Sequence, residues 1–245
     1  MVQVPRRQGL SGPALIRLLV RLTDVDVAQP AQSLADRLSL WLEWTDAIAL
    51  SGALNARLPE ASTPAARDGK EDGEETACAQ VRASLTTAIS NAAARRRTVA
   101  HRHGRADVAD EPADYTIYRQ RYMTMQHAME TDIGSLRGRL RAALAARAPA
   151  MTRLAMVDAA MERALGGRER TLLALVPGLL EKHFERLRMA EEAALAQAQE
   201  AGAARKPRRG AWLETFRADM RSVLLAELDI RFQPVDGLLA ALRTR

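Results

Sequence analysis

Apolar side chains recur three and four residues apart along most of this chain, and stretches without that spacing are short and polar. The first periodic stretch predicts a helix from Ser11, whose hydroxyl can cap free N–H groups, to about Leu22, with Pro13 tolerated in the first turn. Its apolar face is Leu15, Ile16, Leu18, Leu19 and Leu22. Arg17 and Arg21 lie four apart on one side, a layout that suits an anionic membrane surface, although a short apolar helix is more often part of a core. A second helix is expected from about Ala31 to Arg57, with Leu34, Leu38, Trp41, Leu42, Thr45 and Ile48 forming a buried stripe. Trp41 and Trp44 are three apart, which reads as one core and one rim tryptophan, or as an interaction surface.

From Pro59 to Thr76 the periodicity is lost, and six acidic residues stand against two basic ones, the pattern of a flexible acidic linker. A third helix is expected over about Ala77 to Ala100, with Val81, Leu85 and Ile89 four apart. The longest stretch follows, capped by Asp114 and running to about Arg147, roughly 50 Å at 1.5 Å per residue. Its stripe is Tyr115, Tyr118, Tyr122, Met125, Met129, Ile133, Leu136, Leu140 and Leu144, a spacing that fits a straight bundle helix. All three tyrosines of the chain begin that stripe, as packed rings with hydroxyls at a wet rim or as platforms for stacking bases.

Pro149 interrupts the chain, a helix over Met151–Leu165 follows, and Gly166-Gly167 is expected to end it. The next helix starts near Arg168 and is kinked or interrupted at Pro177. The last carries Trp212, Leu213, Phe216, Met220, Val223, Leu224 and Leu228, and Pro234 is expected to close it before a short tail helix ending in Leu242. No alternating Val/Ile/Thr-rich run with hairpin turns occurs. The pattern predicts an all-α protein, a multi-helix bundle with one long central helix and flexible linkers. Its segments are an N-terminal helical part over 1–58, the acidic linker over 59–76, a central bundle over 77–200, a basic linker over 201–210 and a C-terminal helical part over 211–245. The last is too short to fold alone and must dock on the middle segment or on a partner.

Composition adjusts this picture in two ways. Aromatic residues are only 4% of the chain, so the interior must be mainly Leu, Ala, Val and Met. The net charge of +6 invites a phosphate-binding reading, but 33 of the 36 basic residues are Arg, an excess that GC-rich coding also produces. The basic residues cluster as Arg95, Arg96, Arg97, Arg102 and Arg105, and again as Arg205, Lys206, Arg208 and Arg209. Such runs at helix ends are usually solvated, and the first faces Asp107, Asp110, Glu111 and Asp114.

Chemistry is harder to find. His101 and His103 are two apart, and with Cys78 or Asp107 they form the best metal candidate, yet on a helix they would point to different sides. His127 and Glu130 share one face, but paired carboxylate metal bundles need Glu-x-x-His twice. Gly166-Gly167-Arg168-Glu169-Arg170-Thr171 lacks phosphate-loop spacing and follows no strand. A lone cysteine excludes an intramolecular disulfide, and no stretch of about 18 apolar residues predicts a membrane span. The expectation is therefore a cytoplasmic protein that is not an enzyme and carries no metal or cofactor. Its expected partner is a protein or a further copy of itself, with Tyr115, Tyr118, Tyr122, Trp41, Trp44 and Trp212 as candidate contacts; nucleic acid, held by the two basic clusters, is the alternative.

Three passages carry a resemblance: RRQGLSGPALIRLLVRLTDVDV near the start, SLADRLSLWLEWTDAIALSGALN after it, and LLAELDIRFQPVDGLL near the end. They resemble a family of uncharacterised proteobacterial proteins over most of the chain. The resemblance implies no activity, cofactor or site residue; it implies an accessory role in a cell-envelope complex, beside OmpA-like and MotB-like proteins.

Overall fold

A computed structural model describes residues 13–23, 33–56, 70–94, 114–201 and 210–244, and these form eight helices without a strand. They are α1 (Ala14–Thr23), α2 (Leu34–Trp41), α3 (Trp44–Leu54), α4 (Lys70–Ala94), α5 (Tyr115–Ala145), α6 (Pro149–Leu173), α7 (Val176–Glu200) and α8 (Ala211–Arg243). The all-α bundle is as expected. Ser11, the residues beyond Ala94 in the third expected helix, His101, His103, Asp107 and both basic clusters lie outside the described residues.

The bundle is organised by α5 and α8, which lie against each other and are flanked by α4, α6 and α7, while α1 crosses onto α7 and α8. The α5 stripe is buried from Tyr115 to Leu144, with Met125 half-buried. Asp114 caps it as expected, its carboxylate accepting the Thr116 N–H at 2.9 Å. On α1, Leu15 and Leu22 are buried and Leu18 and Leu19 pack on the core, so its apolar face serves the bundle. Along α4, Cys78, Leu85 and Ile89 point inward, and Arg82 ties α4 to α8 through Asp236 at 2.8 Å while its guanidinium lies over the Phe232 ring.

Four expected boundaries are corrected. The expected helix over 31–57 is two helices. Ser33 and Asp36 form a reciprocal capping box at α2, and Asp46 accepts the Glu43 N–H at 3.2 Å at α3, so a second helix start interrupts the run after the extended Leu42. The acidic segment expected as a linker over 59–76 is helical from Lys70: Gly73 is the single glycine in that stretch, and one helical glycine costs only about 1 kcal/mol. Helix α6 passes through Gly166-Gly167: a helix-ending glycine adopts positive φ, and Gly210 is the one described glycine that does. Two helical glycines cost only about 1 kcal/mol each.

The fourth correction is Pro234, which lies inside α8. An interior proline costs about 3 kcal/mol, but beyond it Val235, Leu238 and Leu242 are buried, each contributing roughly 1.5–3 kcal/mol. Burial outweighs the lost hydrogen bond, and the helix continues. At Pro177 the structure solves the same problem differently. Ala174 and Leu175 keep right-handed helical dihedrals, so α6 leads directly into α7, and Pro177 sits in the first turn of α7. Pro177 has no N–H for the Leu173 carbonyl; the Gln126 side chain of α5 donates to it instead, at 3.1 Å.

Candidate interaction surface

Polar side chains within the bundle are answered mainly by one another. Glu227 of α8 is fully buried; its carboxylate accepts from the Tyr122 hydroxyl at 2.7 Å, from Gln126 Nε2 at 3.1 Å and from Arg231 Nε at 2.9 Å. Arg231 also reaches Glu169 of α6 at 3.4 Å. Burial and the adjacent Glu227 carboxylate together push the Tyr122 phenol well above its ordinary range. A second group surrounds His183: Nε2 pairs with Asp219 at 2.8 Å, while Nδ1 faces Arg186 at 3.0 Å. Because the guanidinium can only donate, Nδ1 is the acceptor and the ring proton sits on Nε2. Arg186 also donates to the Leu22 carbonyl at the end of α1, pinning that helix.

The expected contact tyrosines belong to these interiors. Tyr115 and Tyr118 pack with Phe184 and Phe216, and Trp212 meets Phe184 edge-on at 4.8 Å. The Tyr118 hydroxyl accepts from Arg217 at 3.0 Å, and the Tyr115 hydroxyl donates to the Pro177 carbonyl. Burial raises the Tyr115 phenol too, followed by the Glu181 charge. None of the three rings is open to a stacking base. The sequence reading missed Glu227, Arg231, Gln126, His183 and Asp219; a usable signal was Glu227-x-x-x-Arg231, a charged i,i+4 pair beside the apolar stripe of α8.

A cavity of about 500 Å³ lies between α5, α6 and α8, with Ile133, Gly134, Glu162, Gly166 and Arg231 in its wall. Its charges are engaged: Arg137 holds Asp158 at 2.7 Å and Glu162 at 3.2 Å. His127 is exposed, and Glu130 pairs with Arg170 at 3.3 Å. Cys78 is buried, which pushes its thiol upward, with Glu74 adding to the effect. No group of three or more His, Cys, Asp or Glu side chains suited to a metal occurs among the described residues, nor a helix long and apolar enough to cross a membrane.

The remaining tryptophans lead to a different surface. Trp41 is half-buried, its ring flanked by the Arg37 and Arg168 guanidinium groups at 5.8 and 5.1 Å, so the end of α2 is clasped to α6. Trp44 is 81% exposed. The stripe expected to be buried over Leu34 to Ile48 is a further correction: Leu38, Trp41 and Leu42 are half-buried, and Thr45 and Ile48 are exposed. Periodicity identified an apolar face, but the fold turns another face inward. Helix α3 sits on α6 through Ala53, with Ala49 and Leu50 beside it, and its opposite arc of about 120° carries Trp44, Ala47, Ile48, Ser51, Leu54 and Asn55 in solvent. Among the described side chains, neither α2 nor α3 places one in the main hydrophobic core. A helix apolar on both faces is normally enclosed on both, and among the described residues α3 has a neighbouring helix, α6, on one face.

The class defined by these features is an all-helical bundle that carries an outlying apolar helical pair. The family described as "Protein of unknown function (DUF3348)" matches residues 1–244, and the chain belongs to it. No curated protein and no solved structure matches the chain.

Proposed function

We propose that this chain is a cytoplasmic, non-catalytic interaction protein, a scaffold whose bundle holds α2 and α3 out for a partner. The observation that carries the reading is the outward face of α3, where Trp44, Ile48 and Leu54 are 81, 57 and 61% exposed and Leu40 at the end of α2 adds another exposed apolar side chain. Trp44, Ile48 and Leu54 alone leave on the order of 400 Å² of apolar surface in water, within the roughly 300–600 Å² of the largest patch a monomer normally shows. The mutual pairing of the buried polar groups also supports a role without chemistry, since those groups are committed to holding helices together. Within such a role, an accessory place in a cell-envelope complex is what the family resemblance implies.

The test is affinity purification of the full chain from its native host at two salt concentrations, with and without nuclease, beside the Trp44→Ser/Ile48→Ser variant. Partners that survive nuclease and salt and disappear with the variant support the reading. Loss of every partner with nuclease or moderate salt would transfer the function to nucleic acid and the Arg clusters.

A further inference from the structure

We infer that the partner seated on α3 is a second copy of this chain, packed antiparallel about a two-fold axis between Ala47 and Ile48. The inference rests on the interaction reading above and names its partner. Three observations point to a like partner.

The first is charge. Two copies, each with a net charge of +6, repel on approach, and a symmetric contact is easiest through a surface without charges. The outward arc of α3, Trp44, Ala47, Ile48, Ser51, Leu54 and Asn55, contains no ionisable side chain. The second is shape. Along the arc, large and small residues alternate as Trp44, Ala47, Ile48 and Ser51. A two-fold axis between 47 and 48 sets Trp44 of each copy opposite Ser51 of the other, and Ile48 opposite Ala47, so these two bulky side chains each meet a small one. A parallel pairing in register would set Trp44 against Trp44. The antiparallel arrangement also opposes the two helix dipoles.

The third is area. The apolar surface of the two arcs, on the order of 800 Å² before their small and polar residues are counted, comes near the roughly 1,000 Å² lower bound of a specific interface, so the association is reversible rather than permanent.

The experiment is sedimentation equilibrium of the full chain over a wide concentration range. The mass is expected to rise from the 26.9 kDa of one chain toward twice that value. Trp44→Ser/Ile48→Ser is expected to stay at one chain mass with an unchanged far-ultraviolet circular dichroism spectrum, since both side chains are solvent-exposed and outside the core. Ala47→Cys places a thiol beside the axis while the native Cys78 is buried, so a short bismaleimide is expected to link two copies through residue 47. A wild-type chain that is monomeric throughout overturns the inference, as does a dimer that persists in the double variant. A dimer that the double variant abolishes but Ala47→Cys does not link overturns the antiparallel register. If the chain is monomeric but a nuclease-resistant partner is captured through Trp44 and Ile48, the interaction reading stands and the second copy falls; if neither occurs, both fall.

Discussion

Removing the Glu227 carboxylate tests whether the buried polar network holds α5 to α8. In Glu227→Met the side-chain volume is nearly kept, but Tyr122, Gln126 and Arg231 lose their common acceptor. The Arg231 side chain is 8% exposed, and its remaining carboxylate, Glu169, lies at 3.4 Å and is itself 43% exposed. Breaking a buried ion pair from one side costs about 3–5 kcal/mol, most of it from the charge left behind. The remaining Glu169 contact argues for the lower end, about 3 kcal/mol, still a large fraction of the ~5–15 kcal/mol that separates a native domain from its unfolded chain. Arg231→Met leaves the opposite charge buried and is expected to cost a similar amount. The double variant leaves no charge stranded, so it should lose clearly less than the sum of the two single changes. Equilibrium urea unfolding followed by circular dichroism measures all three. A loss below about 1 kcal/mol in Glu227→Met, or simple additivity in the double variant, would refute the reasoning.

Three further outcomes follow from the same structure. Gly167→Ala should stabilise the chain by about 0.5–1 kcal/mol in urea unfolding, because residue 167 is helical and exposed and no atom lies within 4 Å of the added methyl group. Glu191→Ala should cost about 0.5–2 kcal/mol in the same assay, since its carboxylate accepts the Gly210, Ala211 and Trp212 N–H groups and supplies the negative charge that the first turn of α8 favours. Tyr115 and Tyr122 ionise at higher pH in the folded chain than in the unfolded one, so their contribution is fully present below the ordinary tyrosine value of about 10 and is lost as pH rises beyond it. Thermal melts over an alkaline pH series should show that decline, and Tyr122→Phe should make it shallower.

The parts legible in the sequence are those where local pattern and tertiary environment agree. The α5 stripe from Tyr115 to Leu144 was read residue by residue because α8, α6 and α4 cover one face of a regular helix. The misreadings come from places where a remote residue overrules a local signal. Pro234 reads as a stop, but Val235, Leu238 and Leu242 carry the helix past it; Gly166-Gly167 reads as a C-cap, but neither residue takes positive φ. The start at Trp44 was hidden because its box uses Glu43 and Asp46 in place of a hydroxyl cap. Trp44 itself was singled out, but periodicity reports which face of a helix is apolar and is silent on whether anything covers it. For that reason the exposure of α3 became visible only in three dimensions.

The place of α8 in the bundle has a temporal side. It is the last of the described helices in chain order, yet it contacts α1, α4, α5 and α7 and supplies Phe216, Met220, Val223, Leu224, Phe232 and Val235 to the core. Arg82 of α4 meets Asp236 of α8 across 154 positions of sequence. A ribosome adding roughly 5–20 residues each second therefore releases α1, α4, α5 and α7 several seconds before the surface that covers them exists. For that interval the part of the α5 stripe that α8 covers stays without its partner, so the bundle closes only after α8 has been made.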